Sequence, residues 1–152
     1  MKTTVNIGII GYGTVGSGVY HLIKNNSDPI ALRSGIELKI KTVCDLDLER
    51  IKNEITDTDV TDKWTDITGD PDIDIVVELI GGTEPALSII TESLKKGKNV
   101  VTANKKLLAE TGSELLGTVV ETGNSIGFEA AVGGGIPCII SLKKGMVGNH
   151  IR

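Results

Sequence analysis

Short apolar runs alternate with amphipathic segments from one end of this sequence to the other. The apolar runs, which are bounded by glycine or polar turn residues, predict β-strands at 5–10, 37–44, 73–79, 99–102 and 125–129. The segments between them repeat apolar residues every three or four positions and predict helices at 14–24, 48–55, 84–96, 113–121 and from Pro137 onward. Strands that alternate with helices build parallel sheets through right-handed crossovers. We therefore expect an α/β fold, in which a doubly wound, mainly parallel sheet lies between two helical layers.

Two polar segments and two helix ends complete this outline. The segment 25–29 indicates a loop, and the segment 56–63 fits no single element. Thr83 is a candidate cap for the helix at 84–96, and Gly97 can end that helix in the left-handed conformation.

The first predicted strand runs directly into Gly11-Tyr12-Gly13-Thr14-Val15-Gly16, a G-x-G-x-x-G sequence that opens the first helix. Gly11 permits a tight turn, Gly13 lets a pyrophosphate approach the backbone, and Gly16 lets the helix lie close to the sheet. The helix N-terminus offers free N–H groups to the phosphates. The motif in this context predicts a Rossmann-like, dinucleotide-binding domain. A glycine turn that holds no ligand is the alternative.

An acidic residue that ends the second strand is the other expected feature of a dinucleotide site. Asp45 stands there, and a carboxylate at this position accepts from the ribose 2′-OH of NAD and repels the 2′-phosphate of NADP. No arginine stands immediately beside it, so NAD is favoured over NADP. The alternative is that Asp45 and Asp47 only begin a turn and cap a helix. Gly81 and Gly82 follow the third strand and either approach the ribose and nicotinamide or form a plain strand-to-helix turn.

The composition narrows the classes of function. A chain of 152 residues suits one domain, and 16 Lys+Arg against 20 Asp+Glu leave no basic excess for a nucleic acid partner. No apolar stretch approaches the ~20 residues of a membrane span, and no signal peptide precedes the first strand, so we expect a cytoplasmic protein. The two cysteines, Cys44 and Cys138, lack metal-ligand spacing and are expected to be buried thiols.

Four segments, at 11–19, 78–82, 100–105 and 128–137, together resemble homoserine dehydrogenase in order and spacing. The most specific are Thr102-Ala103-Asn104-Lys105 and the glycine-rich run that ends at Pro137. The resemblance covers essentially the whole chain. It implies an oxidoreductase of threonine, methionine and isoleucine biosynthesis that interconverts L-aspartate 4-semialdehyde and L-homoserine with NAD(P)H.

The resemblance also implies roles for individual residues. Lys105 is implied to be catalytic and to lie at the substrate and nicotinamide, and Thr102 to lie at the cofactor; without the resemblance, a surface lysine in a turn is the alternative. The resemblance implies that a second lysine and the acidic residues that grip the substrate belong to a following domain. We therefore expect the isolated chain to be inactive, and the full-length protein to be a homodimer or a larger assembly.

The glycine-rich segment that follows the last strand is the remaining candidate site. The resemblance implies a sodium ion held by main-chain oxygens of Glu129, Val132, Gly134 and Ile136, and a hinge is the alternative. We expect residues 1–135 to form the dinucleotide-binding domain and residues 136–152 to begin the connection to a substrate and dimerisation domain. Another Rossmann oxidoreductase for small aldehydes and a non-catalytic NAD-sensing module are the competing interpretations of the whole chain.

Overall fold

A computed structural model describes residues 3–146 and contains a six-stranded sheet in which every neighbouring pair is parallel. The strands are β1 Thr4–Ile10, β2 Glu37–Cys44, β3 Asp59–Thr61, β4 Ile75–Glu78, β5 Asn99–Thr102 and β6 Ile126–Gly127. Their order is β3-β2-β1-β4-β5-β6. The chain moves outward from β1 to β3 and then returns to β1 with β4, so the order reverses between β1 and β4. The predicted doubly wound, Rossmann-like sheet is confirmed.

Helices cover both faces of this sheet. They are α1 Thr14–Asn25, α2 Ser27–Ser34, α3 Leu48–Glu54, α4 Trp64–Gly69, α5 Ala86–Lys95, α6 Lys105–Thr122, α7 Glu129–Gly133 and α8 Cys138–Gly145. Side chains alternate along β1, so Ile7 and Ile9 pack with α1 and α3, whereas Ile10 faces α4 and α5. A third cluster joins α5 and α6 to β5 through Val100. Within residues 3–146, no helix is both long enough and apolar enough to cross a membrane.

The predicted loop at 25–29 is wrong, because α2 begins at Ser27 inside that segment. Pro29 lies in the first turn of α2, where a helix does not need the missing N–H, and Gly35 ends the helix with a φ of 71°. The polar cluster is therefore a helix start, which sequence alone does not distinguish from a loop. The ambiguous segment 56–63 contains the edge strand β3, and the short helix α4 follows it unpredicted.

Several predicted boundaries also move. The helix expected at 113–121 already begins at Lys105, because the Asn104 side chain caps it. The last strand is limited to Ile126–Gly127, since Glu129 begins α7. Thr83 does not cap α5, which begins at Ala86 after a cis Glu84–Pro85 bond, but the expected left-handed Gly97 is confirmed with a φ of 81°.

The C-terminal part of the described chain leaves apolar side chains in solvent. Val120, Val132 and Ile136 on α6, α7 and the turn after it are all more than half exposed. Residues 147–152, which belong to the predicted connecting segment 136–152, lie outside the described residues. That domain boundary stays a prediction.

Helix α1 lies close to the turn after β1 at Gly16, where a Cβ atom would lie 1.9 Å from the carbonyl oxygen of Gly11. We expect Gly16→Ala to lower the free energy of unfolding by about 1–3 kcal/mol, because the clash is with backbone that side-chain rotation does not relieve. Chemical denaturation followed by circular dichroism measures this change.

Gly18 provides the matched control, because it lies on the same helix and a Cβ there meets nothing within 4 Å. We expect Gly18→Ala to stabilise the chain by about 0.5–1 kcal/mol through helix propensity. Equal stability changes in the two variants would contradict the close approach of α1 to the turn after β1.

Candidate functional site

A crevice with a volume of about 420 Å³ opens at the carboxyl ends of β1, β2 and β4, where the strand order reverses. Its lining includes Gly11 and Gly13 from the first turn, Asp45 from the end of β2, Asp62 beyond β3 and Gly81 beyond β4. Open α/β sheets bind ligands in this position. The structure thus brings four of the predicted cofactor residues, Gly11, Gly13, Asp45 and Gly81, to one crevice, whereas Gly82, Thr102 and Lys105 are not part of its lining.

The glycine fingerprint forms a tight turn at the mouth of this crevice. Gly11 has a φ of 98°, and its N–H donates to the carbonyl of Cys44 at 2.8 Å. A Cβ on Gly13 would meet nothing within 4 Å, so the turn is open on that side. Helix α1 then begins at Thr14 without a side-chain cap and without an acidic residue in its first turn. Its first N–H groups and the positive end of its dipole favour an anion here.

Tyr12 takes part through its backbone, because its side chain is fully buried. The ring packs edge-on against Tyr20, with a centroid distance of 5.6 Å, and belongs to the core beneath α1. The Tyr12 hydroxyl has no hydrogen-bond partner among the described residues. The prediction that Tyr12 lines a cofactor therefore applies to its peptide group alone.

Asp45 fastens the glycine turn to the end of β2. Its carboxylate accepts hydrogen bonds from the N–H groups of Tyr12 at 2.6 Å and Asp47 at 3.0 Å. Its side chain keeps 19% of its surface exposed, at the edge of the crevice. Asp47 also caps α3 by accepting from the Arg50 N–H, so the structure confirms the capping alternative for Asp47.

Arg50 is a residue of this site that the sequence analysis missed. Its guanidinium donates to the Tyr12 carbonyl at 2.7 Å and lies 3.7 Å from the Asp45 carboxylate. The same group lies 3.6 Å from Asp47 and 3.9 Å from Glu54. An arginine is therefore beside Asp45 in space although it stands five positions later in the sequence. The predicted helix start at position 48 was the available signal, because it puts Arg50 in the first turn of α3, close to the end of β2.

The β2 side of the crevice is acidic. Asp45 and Asp62 both line it, and Cys44 lies between them at the wall. Burial, together with the nearby carboxylates of Asp45, Asp62 and Asp66, raises the pKa of the Cys44 thiol to about 12. The thiol is therefore protonated at neutral pH, and the carboxylates of Asp45 and Asp62 disfavour a further negative charge at this end of the crevice.

The ends of β4 and β5 are joined by buried polar side chains, of which the sequence analysis singled out Thr102 but missed Glu78. The Glu78 carboxyl accepts from the Ile80 N–H at 2.9 Å and from the Thr102 hydroxyl at 2.7 Å. Thr102 accepts in turn from the Asn104 N–H at 3.0 Å. A lone glutamate within an apolar strand was the available signal for Glu78.

Lys105 is the first residue of α6 and is exposed. The neighbouring Asn104 side chain donates to the carbonyl of Gly82 at 2.6 Å, so the start of α6 lies against the glycine turn that follows β4. Gly81 and Gly82 have φ values of 73° and 75°. The structure therefore brings Lys105, Thr102 and the two glycines to the same end of the sheet, on the side away from Asp45.

The segment with the predicted cation ligands forms α7 and a turn. The Glu129 carboxylate accepts from the N–H groups of Ile139 and Ile140 and so caps α8. The Ile136 carbonyl accepts from both the N–H and the thiol of Cys138. Among residues 3–146, no three His, Cys, Asp or Glu side chains are grouped to hold a metal ion.

Comparisons with known proteins agree on one family. The sequence model of the protein family described as the NAD-binding domain of homoserine dehydrogenase matches residues 11–129 of this chain. The homoserine dehydrogenases of Neisseria gonorrhoeae and Bacillus subtilis are 39% and 40% identical over 148 residues, which are 97% of this chain and 34% of each relative. The chain thus spans about a third of the length of these relatives.

Solved structures give the same result. The crystal structure of a homoserine dehydrogenase from Thiobacillus denitrificans matches with a TM-score of 0.89 and 38% identity, over 96% of this chain and 34% of the other. A hyperthermophilic archaeal homoserine dehydrogenase in complex with NADPH matches with a TM-score of 0.74 and 27% identity, over 91% of this chain and 48% of the other.

The two cysteines should differ in reactivity. Cys44 is buried and its pKa is raised to about 12, so at pH 8 almost none of it is the reactive thiolate. Cys138 is partly exposed. We expect iodoacetamide to add one carbamidomethyl group to the native chain and two to the denatured chain, as measured by mass spectrometry.

Cys138→Ser is the control and should leave the native chain unlabelled. Labelling of Cys44 in the native chain at the rate of the denatured chain would contradict its burial at the crevice wall.

Proposed function

We propose a function for this chain from the family to which it belongs, which is the NAD-binding domain of homoserine dehydrogenase. In this proposal, the chain supplies the cofactor site and one catalytic lysine for the interconversion of L-aspartate 4-semialdehyde and L-homoserine. The observation that carries the proposal is the crevice at the reversal of strand order, with Asp45 on one side and Lys105 beyond the other. The nicotinamide cofactor supplies or accepts the hydride.

The described residues fit a dinucleotide along the whole crevice. The segment from Gly11 to Gly16 would hold the pyrophosphate, because it offers an open turn and the uncapped N-terminus of α1. Asp45 would accept from the ribose 2′-OH at the β2 end. Because the turn that would hold the pyrophosphate follows β1, the nicotinamide half would extend toward Gly81, Gly82 and Thr102 at β4 and β5.

The electrostatics favour NAD over NADP. A 2′-phosphate at the β2 end would meet the carboxylates of Asp45 and Asp62. Arg50 is engaged by the Tyr12 carbonyl and lies against the carboxylates of Asp45, Asp47 and Glu54. The archaeal homoserine dehydrogenase was solved with NADPH, so the proposed NAD preference rests on the local charge of this chain and not on the fold.

Lys105 provides the positive charge that the reaction needs. Its ammonium is exposed at the N-terminus of α6, where it can hold the substrate oxygen and stabilise the alkoxide that develops on it. The residues that grip the substrate amine and transfer the proton would come from outside this chain, because the chain spans about a third of its relatives.

The sodium ion stays a prediction from the family resemblance. The Ile136 carbonyl accepts two hydrogen bonds from Cys138, so it would have to leave these donors before it could coordinate a cation with the carbonyls of Glu129, Val132 and Gly134. No step of the proposed chemistry depends on this ion. The homodimer likewise stays a prediction.

We expect this chain to bind NADH more tightly than NADPH, in a fluorescence titration or as a larger thermal shift. In Asp45→Asn the preference should fall by about tenfold, because the repulsion of the 2′-phosphate and the acceptor for the 2′-OH are both weakened. Asp28→Asn, an exposed change on α2, is the control and should leave the preference unchanged. Tighter binding of NADPH by the unmodified chain would refute the proposed NAD preference.

Lys105 is tested in the longer enzyme that contains this sequence. Lys105→Met should lower kcat by about a hundredfold or more and leave the Kd for NADH within about twofold, because the charge acts on the reacting oxygen. Lys106→Met is the matched control, since Lys106 is also exposed and lies 4.0 Å from Glu110. Equal losses in the two variants would remove Lys105 from the chemistry.

The chain by itself should bind NADH without turnover of L-aspartate 4-semialdehyde, as followed by NADH absorbance. Steady turnover by the purified 152-residue chain would show that the proposed need for residues outside it is wrong.

A further inference from the structure

A continuous hydrogen-bonded path crosses the ends of β4 and β5. It runs from Glu78 through Thr102 to Asn104, and from Asn104 to the Gly82 carbonyl. Glu78 and Thr102 are fully buried, and Asn104 is 6% exposed. Buried polar groups persist where each of them finds a partner, and they then fix a single local geometry. This path therefore holds its members in one arrangement.

The turn that the path reaches needs such support. Gly81 and Gly82 both have positive φ, and glycine backbone has more conformations to lose on ordering than any other residue. Neither residue has a side chain that could fasten the turn. Two contacts come instead from α6 and its cap: Asn104 holds the Gly82 carbonyl, and the Thr83 hydroxyl donates to Glu110 at 2.6 Å.

We propose that Asn104 is a positioning residue that fastens the Gly81–Gly82 turn to the start of α6 and thereby shapes the nicotinamide end of the crevice. Thr102 and Glu78 orient it, because Thr102 accepts from the Asn104 N–H and donates to Glu78. This inference rests on the proposed function, since it assigns the β4–β5 side of the crevice to the nicotinamide half.

Asn104 performs two tasks with two different atoms. Its Oδ1 caps α6 by accepting from the Leu107 N–H at 3.1 Å, and its Nδ2 donates to Gly82. Serine and aspartate are also good N-caps. Asn104→Ser and Asn104→Asp therefore keep the cap and remove the donor to Gly82, so the two tasks can be separated.

Binding of two ligands to the purified chain tests the proposal. NADH spans the whole crevice, whereas ADP-ribose lacks the nicotinamide. We expect both Asn104 variants to bind NADH about tenfold more weakly, because one hydrogen bond that orders the turn is lost. The Kd for ADP-ribose should stay within about twofold of the unmodified chain, since Asp45 and the first glycine turn are untouched.

Asn124→Ser is the matched control. The Asn124 side chain also donates from Nδ2 to a main-chain carbonyl, that of Leu94 at 2.7 Å, but it follows the far end of α6. The substitution Asn124→Ser removes a comparable hydrogen bond and should leave the affinities for NADH and ADP-ribose unchanged.

Thr102→Val should reproduce the selective loss of NADH binding, because it removes the hydroxyl that orients Asn104. Thr102→Ser keeps the hydroxyl and should largely restore NADH binding.

Two results would overturn the inference: unchanged NADH binding in the Asn104 variants, or equal weakening of NADH and ADP-ribose. If the unmodified chain bound neither ligand, the proposed function would fail instead.

The contact between Asn104 and the Gly81–Gly82 turn is then tested alone by NMR. Backbone order parameters of Gly81 and Gly82 should fall in Asn104→Ser and not in Asn124→Ser. Unchanged order parameters would refute it.

Discussion

The hydrogen bond from the Tyr12 N–H to the Asp45 carboxylate, at 2.6 Å, joins the glycine turn after β1 to the end of β2. The Tyr12 carbonyl on the other side of the same residue accepts from Arg50. The peptide groups on both sides of Tyr12 are thus held by charged side chains from the next strand and helix. The open side of Gly13 and the first N–H groups of α1 follow directly from this turn, so the geometry of the proposed pyrophosphate site depends on this pair of contacts.

The two halves of the crevice are held by different physical means. On the β2 side, charged side chains that are partly exposed hold the turn, and their attraction is screened by water and salt. On the β4–β5 side, buried polar groups hold the second glycine turn, and the loss of one hydrogen bond would leave a donor or acceptor without a partner inside the protein. The first side is therefore the more sensitive to ionic strength, and the second the more sensitive to a change of side-chain shape.

The sequence was sufficient to predict the order of the main elements and that Gly11, Gly13, Asp45 and Gly81 meet at one end of the sheet, because both follow from local patterns. The glycine spacing and the acidic end of β2 are readable from neighbours in the chain. Arg50 and Asn104 were not found, because their partners Tyr12 and Gly82 lie 38 and 22 positions away. Helix α2 was missed because Ser27, Asp28 and Pro29 are equally typical of a loop and of a helix start.

Asn104 both caps α6 and donates to the Gly82 carbonyl, and these two contacts limit which residue can occupy its position. A hydroxyl or a carboxylate can cap α6, but only a short side-chain amide presents an acceptor to Leu107 and a donor to Gly82 from two atoms at once. The preference at this position is therefore set by a turn 22 residues away as well as by the helix that it begins. A designer who transplants this crevice into another scaffold would have to move positions 82 and 104 as a pair, because the Asn104 side chain donates to the Gly82 carbonyl.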